Sequence, residues 1–510
     1  MSTDAVHTDP VHTDPVLPDP ADTDPVHRDP ADTDRVHTAR LQADRSRAER
    51  SFRRTLAALL VGLTLVCLGL VAVNVLNGPR LTGTSVDTSA VVTKANQRLV
   101  LETNQQLAEV TPEQVTVTPA SAVQVQTTND TVVIVFSQPL DYDTEYTVGV
   151  TGVTGPYPDR VSTLSTSFRT GQSPLYLLSR APTLPTDTTK APDRILRTTV
   201  GSAETTEVFA APYIQAFSPV GDELVVVTVA DDLTSRLSLV DVDGKAAELT
   251  LPGTGTVLDL QVSTVSATVG FRFSSVPGTA GSVYDNTLFL LDLTTGTLAS
   301  VEGLDGQPVQ AINWGFMANR GELVAQIFDT TLLLVDPARD DAAIPIGQFP
   351  NLNAFAPDGV RIAVSDQERQ YVLDLSTGTE DPILPQDVAG TSPYTAELEF
   401  LTGGNGYVQR VAEFDQTTGR VLQSLTMVTG EPGAESSRVV YEPTLQNETI
   451  VGFSLSPNDQ YLAVQTVPNS ETQVSDGYPV DARATTSTVV FVDLDTGAIS
   501  RSVVGINATW

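Results

Sequence analysis

The stretch IQAFSPVGDELVVVTV (214–229), followed by LSLVDVDG (237–244), decides how the last two-thirds of the chain is read. An apolar segment rich in β-branched residues runs into a Pro-Val-Gly turn and returns as a second apolar segment. A third segment ends in an Asp-Gly turn, so the whole reads as consecutive antiparallel strands. The first element recurs as INWGFMANRGELVAQI (312–327), LNAFAPDGVRIAVS (352–365) and VGFSLSPNDQYLAVQT (451–466). The second recurs as LFLLDLTTG (288–296), YVLDLSTG (371–378) and VVFVDLDTG (489–497), with weaker copies at 194–201, 332–340 and 424–430. Four short strands in a unit of about 40–50 residues is the pattern of a propeller blade. The seven copies predict a seven-bladed β-propeller over residues 173–510.

The first of these units lacks an opening element, because PLYLLSR (174–180) follows almost directly on TSFRTG (166–171). The C-terminal pentapeptide Ile506-Asn507-Ala508-Thr509-Trp510 aligns with LNAFA (352–356) and IQAFS (214–218). It is expected to supply the missing inner strand of blade one and so cover two open sheet edges. The turns FSPVG (217–221) and FAPDG (355–359), with the Asp-x-x-Thr-Gly hairpins after them, resemble the propeller of the TolB type and its WD-repeat-like relatives. That resemblance implies a ring with a central channel and loop-lined faces, used by relatives mostly to bind proteins.

Ahead of the propeller, residues 79–171 hold short alternating runs: QRLVLE (97–102), QVTVTP (114–119), AVQVQT (122–127), TVVIVFS (131–137), EYTVGVTGV (145–153) and TSFRTG (166–171). Strands at this spacing predict an immunoglobulin-like sandwich. Pro139-Leu140, then Tyr142, Thr144 and Tyr146, and the closing Ser167-Phe168, Thr170-Gly171, resemble the bacterial Ig-like domain of S-layer and other surface proteins. The resemblance implies a spacer or adhesive element without chemistry of its own.

Further towards the N-terminus, TLAALLVGLTLVCLGLVAVNVL (55–76) is uncharged, and a helix of that length rises about 33 Å, enough to cross a hydrocarbon core. The run is too long for a cleaved signal peptide and no small-residue cleavage site follows it, so an uncleaved transmembrane helix is expected from Thr55 to Leu76. Seven arginines between Arg35 and Arg54, against only Arg80 and Lys94 just beyond the run, place the N-terminus in the cytoplasm and the C-terminal part outside a bacterial plasma membrane. The tail, residues 1–54, repeats a five-residue unit (VHTDP, VHTDP, VLPDP, ADTDP) with no apolar face, and disorder is expected. His7 and His12 lie about 16 Å apart in an extended chain, so no metal site is preformed.

Chemistry is restricted by what the body lacks. All four histidines (His7, His12, His27, His37) fall in the tail and the one cysteine, Cys67, in the apolar run. Residues 77–510 therefore have neither imidazole nor thiol for base, nucleophile, metal or disulfide. A net charge of −33 argues against nucleic acid and anionic lipid as partners. Asp241, Asp292, Asp374 and Asp493, with Asp243 and Asp495, invite a calcium reading. A calcium loop needs six or more oxygens, and carboxylates bonded to the turn backbone explain these better. A quinoprotein propeller needs a tryptophan in each blade, and only Trp314 and Trp510 occur. Carboxylate-based glycoside hydrolysis survives, with pairs such as Glu397–Glu399 or Asp340–Asp341, though an acidic chain supplies such pairs by chance. The expectation is a single-pass, membrane-anchored binding or scaffold protein of the cell envelope with a protein partner. No enzymatic activity, catalytic residue, cofactor or metal site is expected. A carbohydrate-active enzyme and a transmembrane sensor are the alternatives, and no small-molecule or glycan ligand is specified.

Overall fold

The computed structural model describes residues 52–70, 78–155, 160–181, 191–263, 265–278, 281, 283–339, 343–383, 394–404, 406–430, 434–478 and 480–510. Residues 1–51 of the repeat-bearing tail, all four histidines, residues 71–76 of the apolar run and the Asp340–Asp341 pair lie outside them. Two bodies are described, Phe52–Leu70 and the body that begins at Gly78.

Phe52–Leu70 is a helix of 19 residues, exposed along its length. It rises about 28 Å, long and apolar enough to act as a membrane anchor or a signal sequence. Cys67 lies on it, exposed and unpaired.

The second body is almost entirely β, as its alternating sequence predicts. A four-stranded sheet runs in the order Leu81–Val86, Gln97–Thr103, Thr131–Phe136, Val123–Thr128. A three-stranded sheet of Val115–Thr118, Glu145–Thr154 and Val161–Arg169 faces it. Inward positions of both bury Leu99, Leu101, Ile134 and Phe136 against Tyr146, Val148, Val150 and Leu164. Inward positions alternate with outward ones along each strand, the pattern of a sandwich.

Seven four-stranded sheets follow. Blades 2 to 7 occupy 214–249, 255–300, 311–348, 351–383, 394–441 and 449–504, each with its strands hydrogen-bonded in sequence order. The first strands of neighbouring blades approach one another, which makes them the inner strands of a propeller. Blade 1 consists of Leu175–Ser179, Asp193–Thr198 and Thr206–Ala211, and its inner strand is Ile506–Thr509 from the C-terminus. Ile506 lies opposite Leu178 and Thr509 opposite Tyr176, antiparallel. The ring closes as the alignment of the pentapeptide implies.

Each inner strand carries one residue more than its partner. The register shifts at Ile214/Ala216, Leu258/Gln261, Ala311/Asn313, Leu352/Ala354, Thr395/Leu398, Ile450/Gly452 and Ile506/Thr509. A bulge takes backbone groups out of the ladder, and groups buried in this way need other partners. At all seven seams the preceding blade bonds to the inner strand's backbone at or close to its bulge. Arg180 donates to the Gln215 carbonyl (2.7 Å), Gln215 to Val257 (2.8 Å), Arg272 to Ala311 (3.0 Å) and Asn313 to Leu352 (2.7 Å). Gln370 donates to Ala396 (2.8 Å) and Arg410 to Ile450 (2.8 Å), and Gln465 Oε1 accepts the Asn507 N–H (3.0 Å). The last of these bonds ties the terminal strand to blade 7.

Arg180, which serves the seam between blades 1 and 2, also clasps a loop of blade 7. Arg180 and Asp476 form an ion pair of 3.0 Å with both side chains 3% exposed, and the guanidinium lies 3.9 Å from the centre of the Tyr478 ring. Asp476 and Tyr478 belong to the loop between Tyr461–Val467 and Thr488–Asp493 of blade 7.

The sandwich and the ring share a core. Tyr461 and Trp510 pack on the sandwich cluster, where the Tyr142 ring stacks on Tyr461 (6.2 Å between centroids) and on Trp510 (6.4 Å). Asn458 donates to the Leu140 carbonyl (3.0 Å), and Gln460 Oε1 accepts the Tyr142 N–H (2.7 Å). The Pro-Leu-x-Tyr segment of the sandwich is thus its docking edge on blade 7.

Candidate functional site

Blade 6 departs from the other six. Its second and third strands, Gly406–Asp415 and Arg420–Thr429, have 10 residues each, whereas those of blades 4 and 5 have 5. All ten residues pair across the hairpin, from Gly406↔Thr429 to Asp415↔Arg420. The neighbouring strands stop short of the tip. The inner strand Tyr394–Phe400 reaches only to Ala412, and the outer strand Ser436–Tyr441 only to Leu425. The tip therefore projects as a two-stranded ribbon beyond its own sheet.

Two sequence features produce this shape. Asp415-Gln416-Thr417-Thr418-Gly419 is a tight turn in which Asp415 accepts the Thr417 N–H (2.8 Å) and the Thr418 hydroxyl (2.5 Å), while Gly419 takes φ +69°. Those bonds hold the Asp415 carboxyl below its usual range, the Thr418 hydroxyl contributing most. On the other side, Glu442-Pro443 ends the outer strand, since proline supplies no ladder donor.

Between the ribbon and residues 442–449 lies a cleft of about 660 Å³, in the size range of ligand sites. Val421, Leu422 and Leu445 line it and are 51–61% exposed. Phe414, 54% exposed, stands opposite Val421 across the hairpin. The loop wall is braced from within. Glu448 accepts the Tyr441 hydroxyl (2.8 Å) and the N–H groups of Thr444 (2.9 Å) and Leu445 (3.1 Å). Gln423 Oε1 accepts the Ile450 N–H (3.0 Å). The cleft's cation, Arg420, is bonded to the Gln446 carbonyl and to Asn447. Glu413 and Glu442 have no partner among the described residues.

The residues weighed from sequence have structural duties. Asp241 accepts the Asp243 and Lys245 N–H groups (3.0 and 2.9 Å), Asp292 those of Thr294 and Thr295 (2.7 and 3.1 Å), and Asp374 those of Ser376 and Thr377 (2.8 and 3.1 Å). Asp493 accepts the Thr496 N–H (2.8 Å). The backbone bonds to Asp292, and the Ser376 hydroxyl beside Asp374, lower those carboxyls. Each carboxylate serves its own hairpin.

Glu397 pairs with Arg410 (3.1 Å), and Glu399 accepts the Leu455 N–H (3.0 Å). Burial pushes Glu399 up to about 8, with the Asp459 charge adding to it. Asp459, itself raised by burial, accepts the N–H groups of Thr402 (3.0 Å) and Gly403 (3.2 Å). These bonds cross the seam from blade 6 to blade 7, and the glycosidase alternative is not favoured. The blade 6 hairpin escaped the sequence reading. Its signal is the extra Asp-Gln-Thr-Thr-Gly (415–419), which falls out of phase just before the repeat's own turn at 430.

No family model and no curated protein matches this chain. Solved structures that it resembles are β-propellers. The periplasmic gluconolactonase PpgL of Pseudomonas aeruginosa is 15% identical with a TM-score of 0.39, covering 66% of this chain and 98% of that one. The propeller domain of the Trilobed protease from Pyrococcus furiosus, described as having an open velcro topology, is 12% identical with a TM-score of 0.41, covering 62% and 93%. The C-terminal WD40 domain of Sif2 is 11% identical with a TM-score of 0.35, covering 62% and 83%. The likeness concerns the fold alone.

It also corrects one expectation, that the chain is not an enzyme. A gluconolactonase is built on such a ring, so a propeller hosts catalysis as well as binding, and a body without histidine or cysteine cannot be assigned to binding by its fold. The class defined here is a β-propeller protein with one apolar helix near its N-terminus. The resemblance of residues 79–171 to bacterial Ig-like domains has no matching family model behind it.

Proposed function

We propose that this chain is a single-pass protein of the bacterial envelope that presents an interaction module outside the membrane. In this reading residues 1–54 stay in the cytoplasm, 55–76 span the bilayer, 79–171 form an Ig-like stalk, and 173–510 form the seven-bladed propeller that engages a protein partner. The apolar helix Phe52–Leu70 and the arginines before it support the anchor and its orientation. The shared core at Tyr142, Tyr461 and Trp510 suits a stalk that carries the ring rigidly.

The observation that carries the proposal is the blade 6 ribbon with its cleft. Exposed Phe414, Val421, Leu422 and Leu445 gather there on an acidic chain, and a local group of large apolar side chains in a polar surface is the mark of a binding site. The test combines topology with capture. Protease added to intact cells should cut the body while sparing an epitope in the tail. Cross-linking through a photoreactive residue at Leu445 should trap one partner, and the Phe414→Asp/Leu422→Asp variant, still folded by circular dichroism, should lose it. A body protected in intact cells, or capture indifferent to the variant, would refute the reading.

A further inference from the structure

We propose that the blade 6 cleft binds an extended peptide of alternating apolar and basic residues, which adds as a strand beside Arg420–Ser424. The inference rests on the reading of the propeller as an interaction module and specifies the chemistry of its partner.

The backbone makes the first argument. In blade 5 the outer strand Thr379–Ile383 pairs with every residue of the third strand, Gln370–Asp374. In blade 6 the outer ladder ends at Leu425↔Tyr441, and Pro443 carries the chain away. Arg420–Ser424 therefore keep one open side, with no backbone bond to 442–449 among the described residues. Hydrogen-bonding positions alternate along an antiparallel strand, so beyond Leu425 the outward N–H and C=O groups belong to Gln423 and Val421. Five strand residues span about 17 Å. An open edge of that length is a template for β-strand addition.

The side chains choose the guest. A strand laid beside Arg420–Ser424 sends one alternate set of residues to the face that carries Val421 and Phe414, which calls for apolar groups, and the other set to the face that Leu422 shares with Glu413. Glu413 and Glu442 offer carboxylates with no partner among the described residues, whereas Arg420 and Glu448 are already engaged. The unmet charge is negative and selects Lys or Arg on the guest. A second copy of this chain would bring the same carboxylates to the same place, so charge disfavours it. The Glu448 bonds brace the far wall, so a guest meets a preformed slot.

The test uses the full chain in detergent micelles and a fluorescent, end-capped heptapeptide of alternating valine and arginine, followed by anisotropy at 150 mM salt. Saturable binding is expected. Methylating every second backbone nitrogen in one of the two phases should weaken it roughly tenfold or more, and in the other phase hardly at all, because only one phase donates to the edge. Glu413→Gln/Glu442→Gln should weaken the parent peptide about fivefold or more, and a valine–aspartate peptide should not bind. Equal affinity for both methylated peptides, indifference to the double variant, or no saturable binding would overturn the inference. If the Phe414→Asp/Leu422→Asp variant still loses its cross-linked partner in that event, the interaction reading stands and strand addition alone falls.

Discussion

Removing the last five residues, Ile506–Trp510, should weaken the entire ring rather than fray one end of it. Ile506 is 4% exposed and packs in a cluster with Tyr176, Leu178, Ile195, Ile214 and Phe217 from blades 1 and 2. Losing such a side chain costs about 2–4 kcal/mol. Trp510 is half-buried, with its ring 6.4 Å from those of Tyr142 and Phe491, and contributes about 1–3 kcal/mol more. The main-chain bonds of the strand, about 1 kcal/mol each, are offset by the freedom its residues regain on deletion. The loss is therefore about 3–7 kcal/mol, carried by side chains. A body of 433 residues, 78–510, unfolds with an entropy of about 0.9 kcal/mol/K near 60 °C. The main transition should fall by about 3–8 °C. Scanning calorimetry is the suitable assay, because the deletion takes one of the two tryptophans with it. Adding the free pentapeptide in millimolar amounts should recover part of the loss by mass action. A main transition within about 1 °C of the parent would refute the closure, and so would a drop confined to a small early step.

Other perturbations probe the remaining joints. Tyr142→Ala removes the stacked ring between sandwich and blade 7, so a single melting transition should split in two, with the stability of the joint reduced by about 3–5 kcal/mol; one unsplit transition would mean the joint does not couple the modules. Glu399 binds its proton up to a pH of about 8 in the fold and releases it near 4.5 in the unfolded chain. Between those values the native state holds the extra proton, so stability is greatest at the acid end and falls as pH rises towards 8. Glu399→Gln should flatten that slope and stabilise the protein at pH 8 by about 1–2 kcal/mol, the side chain's residual solvent contact screening the rest; urea melts at pH 5 and 8 that shift in parallel for both proteins would contradict it. Arg180→Met leaves Asp476 buried without its cation and also removes the bond to the Gln215 carbonyl, and should cost about 3–5 kcal/mol; Asp476→Asn in the same chain, whose amide oxygen still accepts the Tyr478 and Arg483 N–H groups, should restore the part due to the uncompensated charge, and an equally damaged double variant would show that the loss comes from the carbonyl bonds instead.

The all-β architecture was legible because the repeated turns fall where the strands end. Gly244, Gly296, Gly378 and Gly497 all take positive φ at the hairpins where Asp-x-x-Thr-Gly or Asp-Gly stands. The inner strands of blades 2, 4, 5 and 7 stood out as repeats, and each has a single residue at its bulge. Those of blades 3 and 6 did not. There the shift leaves two residues unpaired, Asp259-Leu260 and Ala396-Glu397, and a polar residue interrupts the apolar alternation. Asp259 even adopts φ +49°, which no strand pattern signals. The first sandwich strand, Leu81–Val86, was missed for a related reason: LTGTSV has small polar residues and none of its positions is fully buried. The seams were invisible too. An arginine or glutamine in a strand reads as a solvent-facing position, and only the neighbouring blade reveals the carbonyl it serves.

The seams leave room for the departure from regularity seen in blade 6. Six of the seven are made by a side chain reaching a main-chain carbonyl, and the seventh by a side chain accepting a main-chain N–H. Such a bond makes no demand on the identity of the residue it reaches, so blades can diverge in sequence while the ring stays closed. It does demand that each inner strand keep its bulge in register with the blade before it. More freedom to vary is left to the tips of the hairpins and the outer edges, which none of these seven bonds uses. In blade 6 both have changed together: the hairpin has lengthened past its sheet, and the outer strand has been cut short by Glu442-Pro443. Lengthening alone would give an exposed ribbon, and shortening alone a ragged edge. The two together leave a slot with a backbone edge on one wall and a braced loop on the other, beside the point where Gln423 accepts the Ile450 N–H of blade 7.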